Sequence, residues 1–239
     1  MIELTEKPKN PIIIEGFPGF GFVSTIATEF LIKHLNAKKI GKFFVDDLIP
    51  LAVIHNSKLI DPLEIYYAKK ENIIILRTLT NVSGAEWKVA GVVAELAEKL
   101  KAKEIISIEG IASAELITEG LETPSKVYYY TNQDERRFKR LNIEKLDEGI
   151  VMGVTGVLLF KVDKKIPMSC IFAEATPGLP DSRAAGEVIK VLDNYLGLKV
   201  DYKPLMKKAE EFEGKIKELI AKIKAASEKK EKKEVSYLG

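Results

Sequence analysis

The chain has 239 residues, 46% of them hydrophobic, enough to bury a substantial core and far from the composition of a disordered protein. Its 37 Lys+Arg nearly cancel its 35 Asp+Glu, and the net charge of +2 argues against a dedicated nucleic-acid binder. A lone cysteine, Cys170, excludes an intramolecular disulfide, and no apolar run approaches the ~20 residues of a membrane span, so the expected setting is cytoplasmic with no membrane partner.

Taken in chain order, Ile12–Glu15 is the first predicted strand, three β-branched residues ending on an acid. The glycine-rich turn Glu15-Gly16-Phe17-Pro18-Gly19-Phe20-Gly21-Phe22 follows and feeds a predicted helix over Phe22–Leu35. A strand entering a helix through glycines opens a parallel α/β unit and offers backbone N–H groups to an anion. Gly19, Gly21 and Ser24, with Asp46 downstream, align to the dinucleotide fingerprint. Pro18 removes an N–H from that turn, and Phe17, Phe20 and Phe22 crowd the place a pyrophosphate would occupy.

Further strands are predicted at Phe43–Val45, Leu51–Ile54, Glu64–Ala68, Ile73–Arg77, Ile105–Glu109, Lys126–Tyr130, Ile150–Val154 and Ser169–Ala173. Helices are predicted at Ala85–Leu100, with Ser83 as N-cap, and at Asp181–Leu196, with Asp181 as N-cap. Strands alternating with helices imply an α/β sheet covered on both faces, with a short antiparallel stretch between residues 50 and 77. Glu15, Glu109 and Glu174 each end a predicted strand, so they form a candidate carboxylate cluster at one sheet edge. The competing reading makes each a local cap or acceptor of backbone N–H groups. His34 and His55 lack partners at ligand spacing, so no metal is expected, and no Ser/His/Asp set or activated Cys170 suggests catalysis.

After about Val200 the composition changes, dividing the chain into an expected core of 1–200 and a tail of 201–239. Leu205, Ala209, Phe212, Ile216, Leu219, Ile223 and Ala226 alternate steps of four and three, a heptad seam. Such a helix either lies on its own domain or packs against another subunit, with Leu205, Phe212, Ile216, Leu219 and Ile223 as the contacts. Ser227–Glu234 is a polar tether, and Val235-Ser236-Tyr237-Leu238-Gly239 closes the chain as either a docking tip or a frayed end.

Two loops together carry a resemblance to a known family. The run E-G-F-P-G-F-G-F-V-S at residues 15–24 and the run A-T-P-G-L-P-D-S-R-A-A at 175–185 resemble the two signature elements of the proteasome-assembly-chaperone-2 family. The matching positions are Gly16, Phe17, Pro18, Gly19 and Gly21 in the first, and Thr176, Pro177, Pro180 and Asp181 in the second. The resemblance implies a phosphorylase-like three-layer α/β/α sandwich without enzymatic activity or cofactor. It also implies a homo-oligomer, expected as a ring, that binds the proteasome core particle or a paralogous subunit. Activators of that particle commonly end in a hydrophobic-Tyr-any tripeptide. Here Val235 and Tyr237 are present, but Ser236 separates them and Gly239 adds a residue, so Val235, Tyr237, Leu238 and Gly239 form a relaxed version. The alternatives are an enzyme binding a small anionic or nucleotide ligand at the sheet's carboxyl edge, and a scaffold partner for a paralogue.

Overall fold

The computed structural model describes residues 1–48, 53–55, 57–112, 125–162, 165–176, 179–203 and 207. The heptad segment, the tip Val235–Gly239 and Pro177 lie outside them.

The strands in chain order are β1 (Ile2–Leu4), β2 (Ile12–Glu15), β3 (Lys38–Phe43), β4 (Val53–His55), β5 (Lys58–Ile60), β6 (Leu63–Ala68), β7 (Ile73–Thr78), β8 (Glu104–Ala112), β9 (Val127–Thr131), β10 (Glu144–Lys145) and β11 (Met168–Ala175). The helices are α1 (Val23–His34), α2 (Glu86–Leu100), α3 (Arg136–Lys139), α4 (Gly153–Val162) and α5 (Ser182–Leu196). Among the described residues nine strands make one mixed sheet in the order β1-β3-β6-β7-β2-β8-β11-β9-β10, while β4 and β5 pair as a separate hairpin.

At its centre β7, β2, β8 and β11 run parallel, so Glu15 lies beside Ser107 and Ser107 beside Cys170 in one row. Their sequences are almost continuously apolar because both faces are covered. On one face Ile13, Ile105, Cys170 and Phe172 meet the apolar sides of α2 and α4. On the other Ile14, Ile106, Ile108 and Ile171 meet α1, α3 and α5. This is the expected three-layer sandwich, and β6 pairs antiparallel with β7 as expected.

Two predicted strands were misplaced. The strand expected at Phe43–Val45 lies earlier, at Lys38–Phe43. Its Lys39 and Lys42 reach Asp61 at 2.6 and 3.3 Å, and these outward lysines masked the alternation. The strand expected at Ile150–Val154 is a loop leading into α4. That helix is apolar nearly all round, so no polar face marked its 3.6 period, although Val154, Val157, Leu158 and Val162 are its buried side. Ser83 is not the cap of α2 either: Ala85 holds that position, and the Ser83 hydroxyl donates to Asn81 Oδ1 at 2.6 Å.

Candidate functional site

The glycine turn leaves the carboxyl end of β2 and crosses over β8 before α1 begins. Its approach to β8 is so close that a Cβ on Gly110 would lie 2.1 Å from the carbonyl oxygen of Phe20, which only glycine permits. Gly21 has φ 62°, and a Cβ there would meet that of Ala175 at 2.6 Å. Phe17 turns inward and is buried, and its carbonyl accepts from the Ser24 hydroxyl at 2.5 Å. Phe20 and Phe22 stay partly exposed.

The second loop locks onto the first. Asp181 N donates to Gly21 O at 2.7 Å. The Asp181 carboxylate accepts from Ala184 N at 2.9 Å, capping α5 as expected, and from Thr176 N at 3.1 Å. Ala184 and Ala185 are fully buried and let α5 approach the sheet. The two motif loops are thus one structural unit, with Pro180 half-buried beside the cap.

Next to this unit, at the carboxyl ends of the central strands, opens a cavity of about 870 Å³, within the size range of small-molecule sites. Pro18, Gly19, Phe20 and Phe22 form one wall; Leu146, Ile150, Val151 and Met152 form another; Phe172 and Glu109 line it from the sheet. Ile150 is 89% exposed and Met152 67%, so the mouth is apolar.

Beneath it lies a buried polar chain. Ser107 Oγ hydrogen-bonds Glu15 Oε1, Ser107 Oγ and Thr155 Oγ1 are 2.7 Å apart, and Thr155 Oγ1 hydrogen-bonds Glu109 Oε2 at 3.0 Å. Each of these three contacts needs a proton, and the two hydroxyls supply one apiece, so the third must sit on a carboxyl. Burial, opposed by the Ser107 hydrogen bond and reinforced by the Glu109 charge, pushes Glu15 up to about 8. Burial, opposed by the Thr155 hydrogen bond, pushes Glu109 up to about 7. The two acids therefore titrate as a coupled pair, with the proton held mainly by Glu15 near neutrality. A protonated Glu15 also explains how its Oε2 is buried without a partner, since a neutral carbonyl oxygen is far cheaper to desolvate than a carboxylate.

The structure brings together two members of the predicted carboxylate trio and not the third. Glu174 accepts from the Tyr128 hydroxyl at 3.0 Å, outside the relay. The dinucleotide alignment fails on topology: Asp46 follows β3, which β6 and β7 separate from β2, and it is exposed. Ser107 and Thr155 were not foreseen. A serine inside Ile105-Ile106-Ser107-Ile108, two residues before Glu109 on the same strand face, was the available signal. Thr155 was hidden by the misread helix. Cys170 is buried, and its thiol is pushed well up by burial and the charges of Glu15 and Glu109. Trp87 is 63% exposed on the first turn of α2.

Among the described residues no helix is long and apolar enough to cross a membrane, and no group of three or more His, Cys, Asp or Glu side chains is arranged for a metal ion. The fold is similar to the crystal structure of Pyrococcus furiosus PbaA, an archaeal homologue of proteasome-assembly chaperone. That match has a TM-score of 0.77 and 28% identity over 95% of this chain and 99% of that one. It is also similar to Pyrococcus furiosus PbaB, an archaeal proteasome activator, with a TM-score of 0.79 and 25% identity over 92% and 98% of the two chains. An uncharacterized protein of Methanocaldococcus jannaschii is 32% identical over 227 residues, 91% of this chain and 90% of its own length. The model of the PAC2 family matches residues 13–220, a span that holds both interlocked motif loops and the sheet between them, and the chain belongs to that family.

Proposed function

We propose that this protein is a non-enzymatic, chaperone-like partner of the proteasome core particle that assembles with itself and docks through its C-terminal tail. The observation that carries this reading is end-to-end similarity to two proteins of the proteasome system, PbaA and PbaB, across more than nine-tenths of the chain. The division of labour follows the sequence. Residues 1–200 form the folded platform, and 201–239 supply an amphipathic seam, a hydrated tether and the tip Val235–Gly239. Leu205, Phe212, Ile216, Leu219 and Ile223 would seal subunits, and a closed ring would present several tips at once, so that weak individual contacts add. Val235 and Leu238 each gain roughly 1.5–3 kcal/mol if fully enclosed by a partner, and Tyr237 supplies an aromatic anchor and a hydroxyl.

The test compares full-length protein, a deletion of Val235–Gly239, and Tyr237→Ala in core-particle pull-down and peptidase-stimulation assays. Loss of association with an intact oligomer supports docking by the tip. A deletion that loosens the oligomer instead, with no binding by the full-length chain, overturns it. Sedimentation at the 26.7 kDa monomer mass would remove the self-assembly part.

The cavity supports a second reading, a ligand-binding site at the carboxyl edge of the sheet. It does not favour the anionic or nucleotide ligand considered from the sequence: its described lining includes Glu86, Glu109 and Glu148 and no lysine or arginine.

A further inference from the structure

Independently of any proteasome partner, we infer that the cavity beside the glycine turn binds a small organic ammonium with an apolar body, its cationic head against Glu109 and its body between the Phe20–Phe22 wall and Ile150–Met152. Size, charge and wall chemistry all point the same way. About 870 Å³ holds a compact ligand with room for water. The three charged residues among the described lining, Glu86, Glu109 and Glu148, are all acidic, so a cation is attracted and an anion repelled. Phe20, Phe22 and Phe172 line the same space, and aromatic rings attract cations while burying hydrocarbon.

The relay gives the site a way to stay charged. An isolated pair of coupled acids would share their proton and blunt the charge offered to a ligand. Here Glu15 lies at the blind end of the Ser107–Thr155 chain and does not line the cavity. With the proton held mainly by Glu15, Glu109 meets the ligand as a carboxylate, and a bound cation draws any remaining share along the two hydroxyls to Glu15. No bond to carbon is made or broken; one proton shifts along three hydrogen bonds.

The experiment is calorimetric titration of the full-length protein at pH 8 with three compounds of one shape: phenethylammonium, the neutral 2-phenylethanol, and phenylacetate. Phenethylammonium is expected to bind at least about tenfold more tightly than the alcohol, and phenylacetate more weakly than either. Glu109→Gln should erase the preference for the ammonium, whereas Glu15→Gln, which leaves Glu109 in place, should keep it. Because a buried change can disturb folding, the surface pair Ile150→Lys and Ile150→Glu provides a second arm. Measured relative to the alcohol, which shares any loss of apolar contact at Ile150, the lysine should weaken and the glutamate strengthen ammonium binding, each about three- to tenfold. Equal affinities for all three compounds, preference for the anion, no binding of any of them, or a preference that survives Glu109→Gln would each overturn the inference.

Discussion

The two ends of β8 carry glutamates, one buried and one half-buried, that the fold treats in opposite ways. At the start of the strand Glu104 faces the α5 side, where it accepts from the Ser169 hydroxyl at 2.5 Å and from the Tyr195 hydroxyl at 2.9 Å. Tyr195 is the end of a ring stack: Phe138 lies 4.5 Å from it and Tyr129 a further 4.6 Å beyond. The guanidinium of Arg137 sits over the outer face of Tyr195 at 4.1 Å. Both carboxyl oxygens are served and aromatic rings close the space. At the far end of the same strand Glu109 faces the α4 side, with an open cavity before it and a half-satisfied Glu15 behind. Strand position and parity alone decide which acid becomes a structural acceptor and which a candidate site. At the amino-terminal end the neighbouring helices pack tightly; at the carboxyl end the loops diverge and leave a crevice.

The largest expected effect is a pH dependence centred on the open end, although burial also raises Glu104 at the closed end. Glu15 binds a proton in the folded state that it releases on unfolding, because its pKa is raised to about 8 from 4.5. Between those values the folded state holds more protons, so stability falls as pH rises, by on the order of 5 kcal/mol across the window. Glu109 adds to the same slope up to about pH 7. Chemical denaturation at several pH values should show this fall, and Glu15→Gln should remove its own share, most visibly between about pH 7 and pH 8, where Glu109 no longer contributes. A flat profile for the parent protein would mean that neither acid is held neutral.

Phe138→Ala attacks the closed end. Phe138 is fully buried between Tyr129 and Tyr195, and deleting its ring should cost about 3–5 kcal/mol, with no effect on the Glu15 part of the slope. A cost under about 1 kcal/mol would show that the stack collapses freely and that the end is not rigid. Asp181→Ala is expected to be milder. It removes the cap of α5 and the acceptor for Thr176 N, about 1 kcal/mol and so a fall of about 2–4 °C in Tm. The N–H of residue 181 still donates to Gly21 O, so the two motif loops should stay joined.

Much of the closed architecture could be read from sequence, because burial writes itself as apolar runs. The central strands Ile12–Glu15, Ile73–Thr78 and Met168–Ala175 are nearly continuous hydrophobe, and α5 announces itself through Asp181 and Gly197, its cap and its left-handed stop at φ 69°. The site was half legible. Glycines and strand-end glutamates marked its rim, since special backbone and misplaced charge stand out. The rest depended on which polar groups meet across three strands and a helix. Ser107 and Thr155 are 48 residues apart and nothing local joins them. The helix carrying Thr155 has no polar face, so period analysis saw only a hydrophobic stretch.

The smallest stability effect should come from Glu109→Gln, and its value lies in where the effect falls. Glu109 borders a cavity that admits water, so the amide can be hydrated and can still accept from Thr155; the expected cost is under about 1 kcal/mol at neutral pH. What changes is Glu15. The charge at Glu109 is one of the causes that raise Glu15, and an uncharged glutamine withdraws it while burial continues to act. Glu15 should then ionise at a lower pH, and the upper end of the stability slope should move down from about pH 8 while the lower end stays near 4.5, the unfolded value. Glu15→Gln should leave Glu109 near its value of about 7, because Glu15 is already neutral when Glu109 titrates, and carbon-13 NMR of the Glu109 carboxyl would follow this directly. If Glu109→Gln does not shift Glu15, the two carboxyls titrate independently and the chain through Ser107 and Thr155 is a set of separate hydrogen bonds. If Glu15 shifts down, the open end of β8 holds one proton between two acids, a property the closed end, with Glu104 alone, does not have.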